Sequence, residues 1–334
     1  MTAALKNFSR WALQLAAGFV IVLALLVGIA RLLLPEVASF SADIRSAVRS
    51  ATGFELDFEL LSAGMSIYGP ELRMTVADVA WPDRTELLRA EQIAISLDMV
   101  ELITTRRVLP KRILLRGAES QFDITSEGEL LIQGRPLADF RLSDEPFDPD
   151  MLPDLRLHFE DIRFNYADQR FERPALDGVV NELIAELRGG RIELAGDVEP
   201  GQLLGKRLDV RGELPVALFF AARDVADDMP WSLWLSAQDY RLDAWLELFQ
   251  AEDLPIINSQ GSAAAEFSFV GIRLTELKTE LDLIDIELPR VDGPPALIDA
   301  IEGQIDWQVT NAGWRAAARG LRLKRAGKTL SLIH

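Results

Sequence analysis

The chain has 334 residues, 49% of them apolar, no cysteine and a formal charge of −17. That length and apolar content suffice for a sizeable core, and the lack of cysteine excludes disulfides, thiolate metal ligands and a thiol nucleophile. Residues 1–34 hold Lys6, Arg10 and Arg31 and no acid, so the remainder carries −20; a body this acidic repels phosphate backbones, which argues against nucleic-acid binding.

The first element reads as a membrane anchor. Trp11 to Ala30, "WALQLAAGFVIVLALLVGIA", has no charge and Gln14 as its one polar side chain. As a helix it spans about 30 Å, the hydrocarbon thickness of a bilayer, with Trp11, Phe19, Leu25 and Ile29 among its anchoring side chains. A cleavable signal has a shorter apolar core and a small-residue cleavage site, and "PEVASFSA" is a poor one. Lys6, Arg10 and the amino terminus hold the tail in the cytoplasm. Residues 1–34 are thus expected to form a tail and a single span in a bacterial inner membrane, with the body in the periplasm. Ala24 and Gly28 form a small-xxx-small pair suited to a partner transmembrane helix, although small residues facing lipid explain them more simply.

Residues 35–140 read as a helix followed by strands. Val37, Phe40, Ile44 and Val48 recur at helical spacing before Gly53, which predicts a short amphipathic helix ended by glycine. The period then becomes two. Phe54, Leu56, Phe58 and Leu60 alternate with acids; Leu72, Met74 and Val76 alternate, and Val79 and Trp81 follow a phase change; Ile93, Ile95 and Leu97 make a third set. Met99 to Leu109 reads as a short helix or turn closed by Pro110. "RILLRGAESQFDIT" and "GELLIQG" resume strand character.

Arg135 to Pro153 breaks the pattern with prolines and acids. Its carboxylates, Asp144, Glu145, Asp148 and Asp150 among them, lack the ligand rhythm of a calcium loop, so a solvated linker is expected and no metal site. Residues 141–334 then continue the strands. In "RLHFEDIRFNYAD", Leu157 and Phe159 share a face, and after a slip at Glu160-Asp161 so do Ile162, Phe164 and Tyr166. Leu194, Val210, Phe267, Leu281 and Trp307 belong to later alternating runs, and "LDAWLELFQ" reads as a short helix. Gly189-Gly190 and Ala326-Gly327 mark hairpin turns. Roughly fifteen strands and about four short helices result, and one-face alternation predicts antiparallel meanders. So few helices cannot cover so many strands.

Catalytic signatures do not emerge. The two histidines are His158, opposite the apolar face of its strand, and the last residue, His334. No nucleophile elbow, zinc-protease or phosphate-loop motif is present, so neither an enzyme nor a cofactor is expected. One basic cluster stands out in the acidic body: Arg106, Arg107, Lys111, Arg112 and Arg116. It could contact lipid headgroups, although a solvated turn and strand face is the simpler account.

The order of elements resembles the amino-terminal region of the AsmA-like proteins. The segments "SATGFELDF" and "AEQIAISLDMVELITTRRVLPKRILLRGAESQFDITSEGELLIQG" carry the likeness. "YRLDAWLELF" and "GSAAAEFSFVGIRLTELKTELDLIDIELP" are most similar to the YhdP branch. The resemblance implies a mainly β protein: a long curved sheet forming an open, greasy groove, anchored in the inner membrane. It further implies that phospholipid moves along the groove toward the outer membrane, without cofactor or catalytic residue. The groove would be lined by Leu157, Phe159, Phe164, Leu194, Val210, Phe267, Leu281 and Trp307, with the membrane, phospholipid and a periplasmic or outer-membrane factor as partners. Relatives of this type are several times longer, and fifteen strands at about 4.8 Å give only roughly 70 Å, so a longer chain or a partner is expected. The competing expectation is a membrane-anchored scaffold whose apolar faces close on one another as a sandwich or barrel.

Overall fold

The computed structural model describes residues 41–83, 85–136, 154–170, 175–201, 204–220, 228–248, 256–271, 273–290, 293–310 and 313–332. The expected anchor, with Trp11, Phe19, Leu25 and Ile29, and most of the expected linker lie outside these residues. Among the described residues no helix is long and apolar enough to cross a membrane.

Helix α1 (Ser41–Thr52) opens the described chain. Asp43 in its first turn and Arg49 in its last suit the helix dipole. Gly53, at φ +77°, closes it by donating its N–H to the Arg49 carbonyl. Strands β1 (Glu55–Ser66), β2 (Gly69–Ala80) and β3 (Glu86–Leu97) follow. Helix α2 (Met99–Thr104) comes next, capped by Asp98, whose carboxylate accepts from the Val100 and Glu101 N–H groups. Then come β4 (Pro110–Ile124), β5 (Leu130–Ile132), β6 (Arg135–Pro136), β7 (Leu155–Asp168), β8 (Leu176–Arg188), β9 (Arg191–Glu199) and β10 (Arg207–Pro215). Helix α3 (Ala217–Phe220), β11 (Pro230–Tyr240) and helix α4 (Leu242–Leu248) precede β12 (Asn258–Val270), β13 (Arg273–Leu288), β14 (Ala296–Thr310), β15 (Gly313–Arg325) and β16 (Lys328–Leu332).

All sixteen strands belong to one sheet, ordered β1-β2-β3-β4-β7-β8 and onward in sequence to β16, with β5 and β6 attached beside β4. Strands β1 and β16 stand at opposite ends and do not pair. The sheet is therefore open and curved, and the expectation of a closed barrel is corrected.

A second correction concerns strand direction. Strands β4 and β7 run parallel, from Arg112 beside Arg156 to Ile124 beside Asp168, so the sheet is mixed. The chain between Ile124 and Leu155 returns to the side where β4 began. Alternation records that one face is covered and the other is wet; it does not record direction.

The sheet also carries a crease. Leu60, Thr75, Gln92, Arg116, Glu160 and Glu182 lie in one cross-strand row, and the pairs Phe58–Ala77, Ala77–Ala90, Ala90–Ala118 and Ile162–Val180 lie in the next. Between these rows sits one extra residue per strand: Glu59, Val76, Glu91, Gly117, Asp161 and Asn181. Val76, Gly117 and Asp161 have φ of +47°, +63° and +54°. Extra residues of this kind bend a strand and raise its twist. Because neighbours share them, the register passes unbroken through the crease from β1 to β8. At the crease the pairing first shifts where β9 lacks a counterpart, between Val180 and Glu182; smaller irregularities lie at strand ends, at Val79/Ala80 and Ser96/Leu97. The expected slips after Val76 and at Glu160-Asp161 are this crease. It also corrects two facings: Leu60 turns to the polar face, 58% exposed, and Val76 is exposed within the crease, while Leu61 takes the buried position.

Candidate functional site

Residues paired across neighbouring strands point to the same side of a sheet. One row runs from Leu61 through Met74, Ile93, Leu115, Phe159, Leu183, Gly196, Val210, Leu235, Ala265 and Thr279 to Ile305. The adjacent row on the same face runs from Leu72 through Ile95, Ile113, Leu157, Ala185, Leu194, Gly212, Leu233, Phe267 and Leu277 to Trp307. A third, on the other side of the first, takes Ile162, Val180, Val198, Leu208, Ala237, Ala263 and Leu281. Phe164 lies beyond the crease, its ring filling the space over Gly178. Seven of the eight residues singled out from the sequence thus lie in these three adjoining rows; Phe164 pairs instead with Ser120 and Gly178.

Among the described residues, two helices cover this face. Ile44 and Val48 of α1 pack on a core that includes Leu56, Phe58, Leu61, Met74 and Ile93. Farther along, Leu242 and Trp245 of α4 pack with Tyr240, Leu283, Ile286 and Ile298. The Trp245 indole N–H donates to the Leu204 carbonyl at 2.9 Å, which fastens α4 to the segment between β9 and β10. Burial there pushes the Tyr240 hydroxyl up to about 12. Between the two helices Leu183, Leu194, Val210, Leu233 and Leu235 are only half-buried. Toward one margin Trp231 stacks on Phe269 at 3.9 Å and Phe267 lies 6.3 Å from Phe269.

The opposite face is charged. Glu71, 3% exposed, accepts from Arg73 at 2.6 Å and from the Ser96 hydroxyl at 2.9 Å. Arg112 lies 3.9 Å from the same carboxylate and donates to Nδ1 of His158 at 2.6 Å. That leaves the His158 Nε2–H to donate to Glu182 at 2.9 Å. Arg116 pairs with Glu160, and Arg156 with Glu186. These groups lie on neighbouring strands but far apart in sequence, so no linear motif announced them. They clamp β2, β3, β4, β7 and β8 together on the wet side. A cleft of about 1570 Å³ follows the crease and its rim, lined by charged residues such as Glu86, Arg89, Glu119, Arg163 and Lys206. It reaches Ala90 and Phe164 but none of the three rows above. Among the described residues no group of His, Asp and Glu could hold a metal.

The basic cluster divides. Arg112 and Arg116 turn onto the charged face. Lys111 pairs with Asp98 at 3.2 Å; the Glu101 N–H and Lys111 lower the Asp98 carboxyl from its ordinary value. Arg106 and Arg107 are exposed and make no ion pair among the described residues.

An open, curved sheet that is greasy along one face is the architecture that the resemblance implied. The family model described as YhdP protein matches residues 1–333. The chain belongs to the YhdP family. The match spans the apolar amino-terminal segment as well as the sheet. No curated protein matches this YhdP-family chain.

Proposed function

We propose that this chain is an inner-membrane-anchored periplasmic lipid-transfer protein, or part of one, which carries phospholipid acyl chains along its apolar face toward the outer membrane. The observation that carries the reading is the half-buried stretch between α1 and α4. There Leu183, Leu194, Val210, Leu233 and Leu235 form adjoining apolar rows on an open sheet. An acyl chain leaving a bilayer costs about 0.8 kcal/mol per methylene exposed to water. Apolar rows remove most of that cost, while the charged headgroup stays wet at the open margin. Transfer is then movement across successive strands, and the chain itself does no bond chemistry. The sequence holds no nucleotide-binding motif, so direction comes from outside this chain.

Mass spectrometry of lipids extracted from the purified full chain tests the reading. Stoichiometric phospholipid is expected. Folded protein that stays lipid-free after exposure to phospholipid vesicles would overturn it.

A further inference from the structure

One rim of the sheet presents apolar side chains to water beside cations that make no ion pair among the described residues. Ile67, in the β1–β2 turn, is 94% exposed, and Val100, Ile103 and Val108 are about two-thirds exposed. Val100 and Ile103 stand three apart on α2 and so share a side. Helix α2 is firmly built: Asp98 caps it, and the Asp98 N–H bonds the Leu109 carbonyl to close the loop at its base. Yet it turns these two side chains outward. Arg106 and Arg107 follow directly, between the helix and Val108.

The β1–β2 turn and α2 are neighbours. The Ser66 and Ser96 hydroxyls are 3.2 Å apart, and a Cβ on Gly69 would sit 3.2 Å from Cγ of Met99. The apolar group and the cations therefore form one patch. Single exposed apolar residues are ordinary on any protein; several together beside unpaired cations are not.

We infer that this rim docks on an anionic bilayer surface, with Ile67, Val100, Ile103 and Val108 in the headgroup–acyl boundary and Arg106 and Arg107 on lipid phosphates. Charge selects the occupant. On a chain of net charge −17, the rim offers two exposed cations with no ion pair among the described residues and with adjoining apolar side chains, the combination that interfacial lipid binding uses. Docking would set this end of the sheet against the membrane at a fixed angle. It does not depend on lipid transport, since a lipid-free protein would dock in the same way.

The chain has no cysteine, so I67C and I103C each place one spin label. The full chain is reconstituted into phosphatidylcholine vesicles with and without phosphatidylglycerol. Label depth is read from accessibility to oxygen and to an aqueous nickel chelate. With phosphatidylglycerol both labels are expected to be oxygen-accessible and shielded from nickel, while T329C on β16 stays aqueous. R106Q/R107Q should lower the docked-to-free ratio roughly 30-fold, from about 1 kcal/mol per basic residue at an anionic surface and 1.4 kcal/mol per tenfold. A thermal melt checks that the variant keeps its fold. Labels that remain aqueous in both vesicle types overturn the inference. So do labels that are equally deep without phosphatidylglycerol or in the charge variant.

Discussion

Phe267→Asp is the sharpest test of the apolar face as a lipid path. Phe267 pairs with Leu233 on β11 and Leu277 on β13, in the row that also holds Leu157, Leu194 and Trp307. An extended acyl chain crossing one strand spacing of about 4.8 Å lays down roughly four methylenes. At about 0.8 kcal/mol each, that contact is worth roughly 3 kcal/mol. Aspartate replaces it with a carboxylate that binds water, so lipid occupancy across this row should fall by about a hundredfold. The aromatic stack of Trp231 on Phe269 one step away should persist, since Phe267 is only its flank. The assay is phospholipid phosphate per mole of purified full chain, beside a thermal melt and tryptophan emission. If Phe267→Asp and Phe159→Asp both keep full lipid loading on a folded protein, this face does not carry acyl chains.

Three further outcomes test the fold. Gly261→Val should cost about 2–3 kcal/mol by overpacking, because a Cβ there overlaps the Asp282 carbonyl oxygen and lies 2.9 Å from Cα of Leu283. Gly212→Ala, whose nearest neighbours are the movable Cδ1 of Leu214 and the Ser232 carbonyl oxygen, both at 3.2 Å, should cost less; equal urea midpoints for the two would contradict the contact geometry. Glu71→Ala leaves Arg73 and Ser96 without their shared acceptor and removes the carboxylate 3.9 Å from Arg112, and should cost about 3 kcal/mol in urea unfolding, with Glu71→Gln recovering part of it. Asp98→Ala should cost about 1 kcal/mol through the lost helix cap. The folded state depresses the Asp98 carboxyl below its ordinary value, so this stabilisation is full above the unfolded value of about 3.9 and fades as pH falls through the lower folded value. A penalty that is the same at neutral pH and well below 3.9 would refute the assignment.

The facing of the apolar side chains was legible because alternation on a half-covered sheet is a local property. Phe159, Val210 and Phe267 needed only their own strands to be placed. The crease was legible where it brought two charged residues together, at Glu160-Asp161, and after Val76, where the apolar phase changes. It was hidden at Gly117, which has no side chain to betray a phase. Leu60 misled because Leu61 beside it is equally apolar. The parallel pairing of β4 and β7 left no trace, since both directions give the same alternation. The network from Glu71 to Glu182 joins residues on five strands, and nothing local marks such partners. The two helices that rest on the apolar face differ in the same way. Ile44 and Val48 form a visible stripe, but the packing of Trp245 on Ile286 and Ile298 depends on long-range folding.

The crease has a corollary for how such chains can be taken apart. From β1 to β8 each strand keeps step with the next only because both carry the additional residue, so dropping one from a single strand would throw its neighbours out of alignment. At the β8–β9 boundary the mismatch is already absorbed, between Val180 and Glu182. That boundary is the natural splice point for exchanging halves between related chains: a chimaera joined in the Gly189-Gly190 turn inherits each block with its own spacing intact.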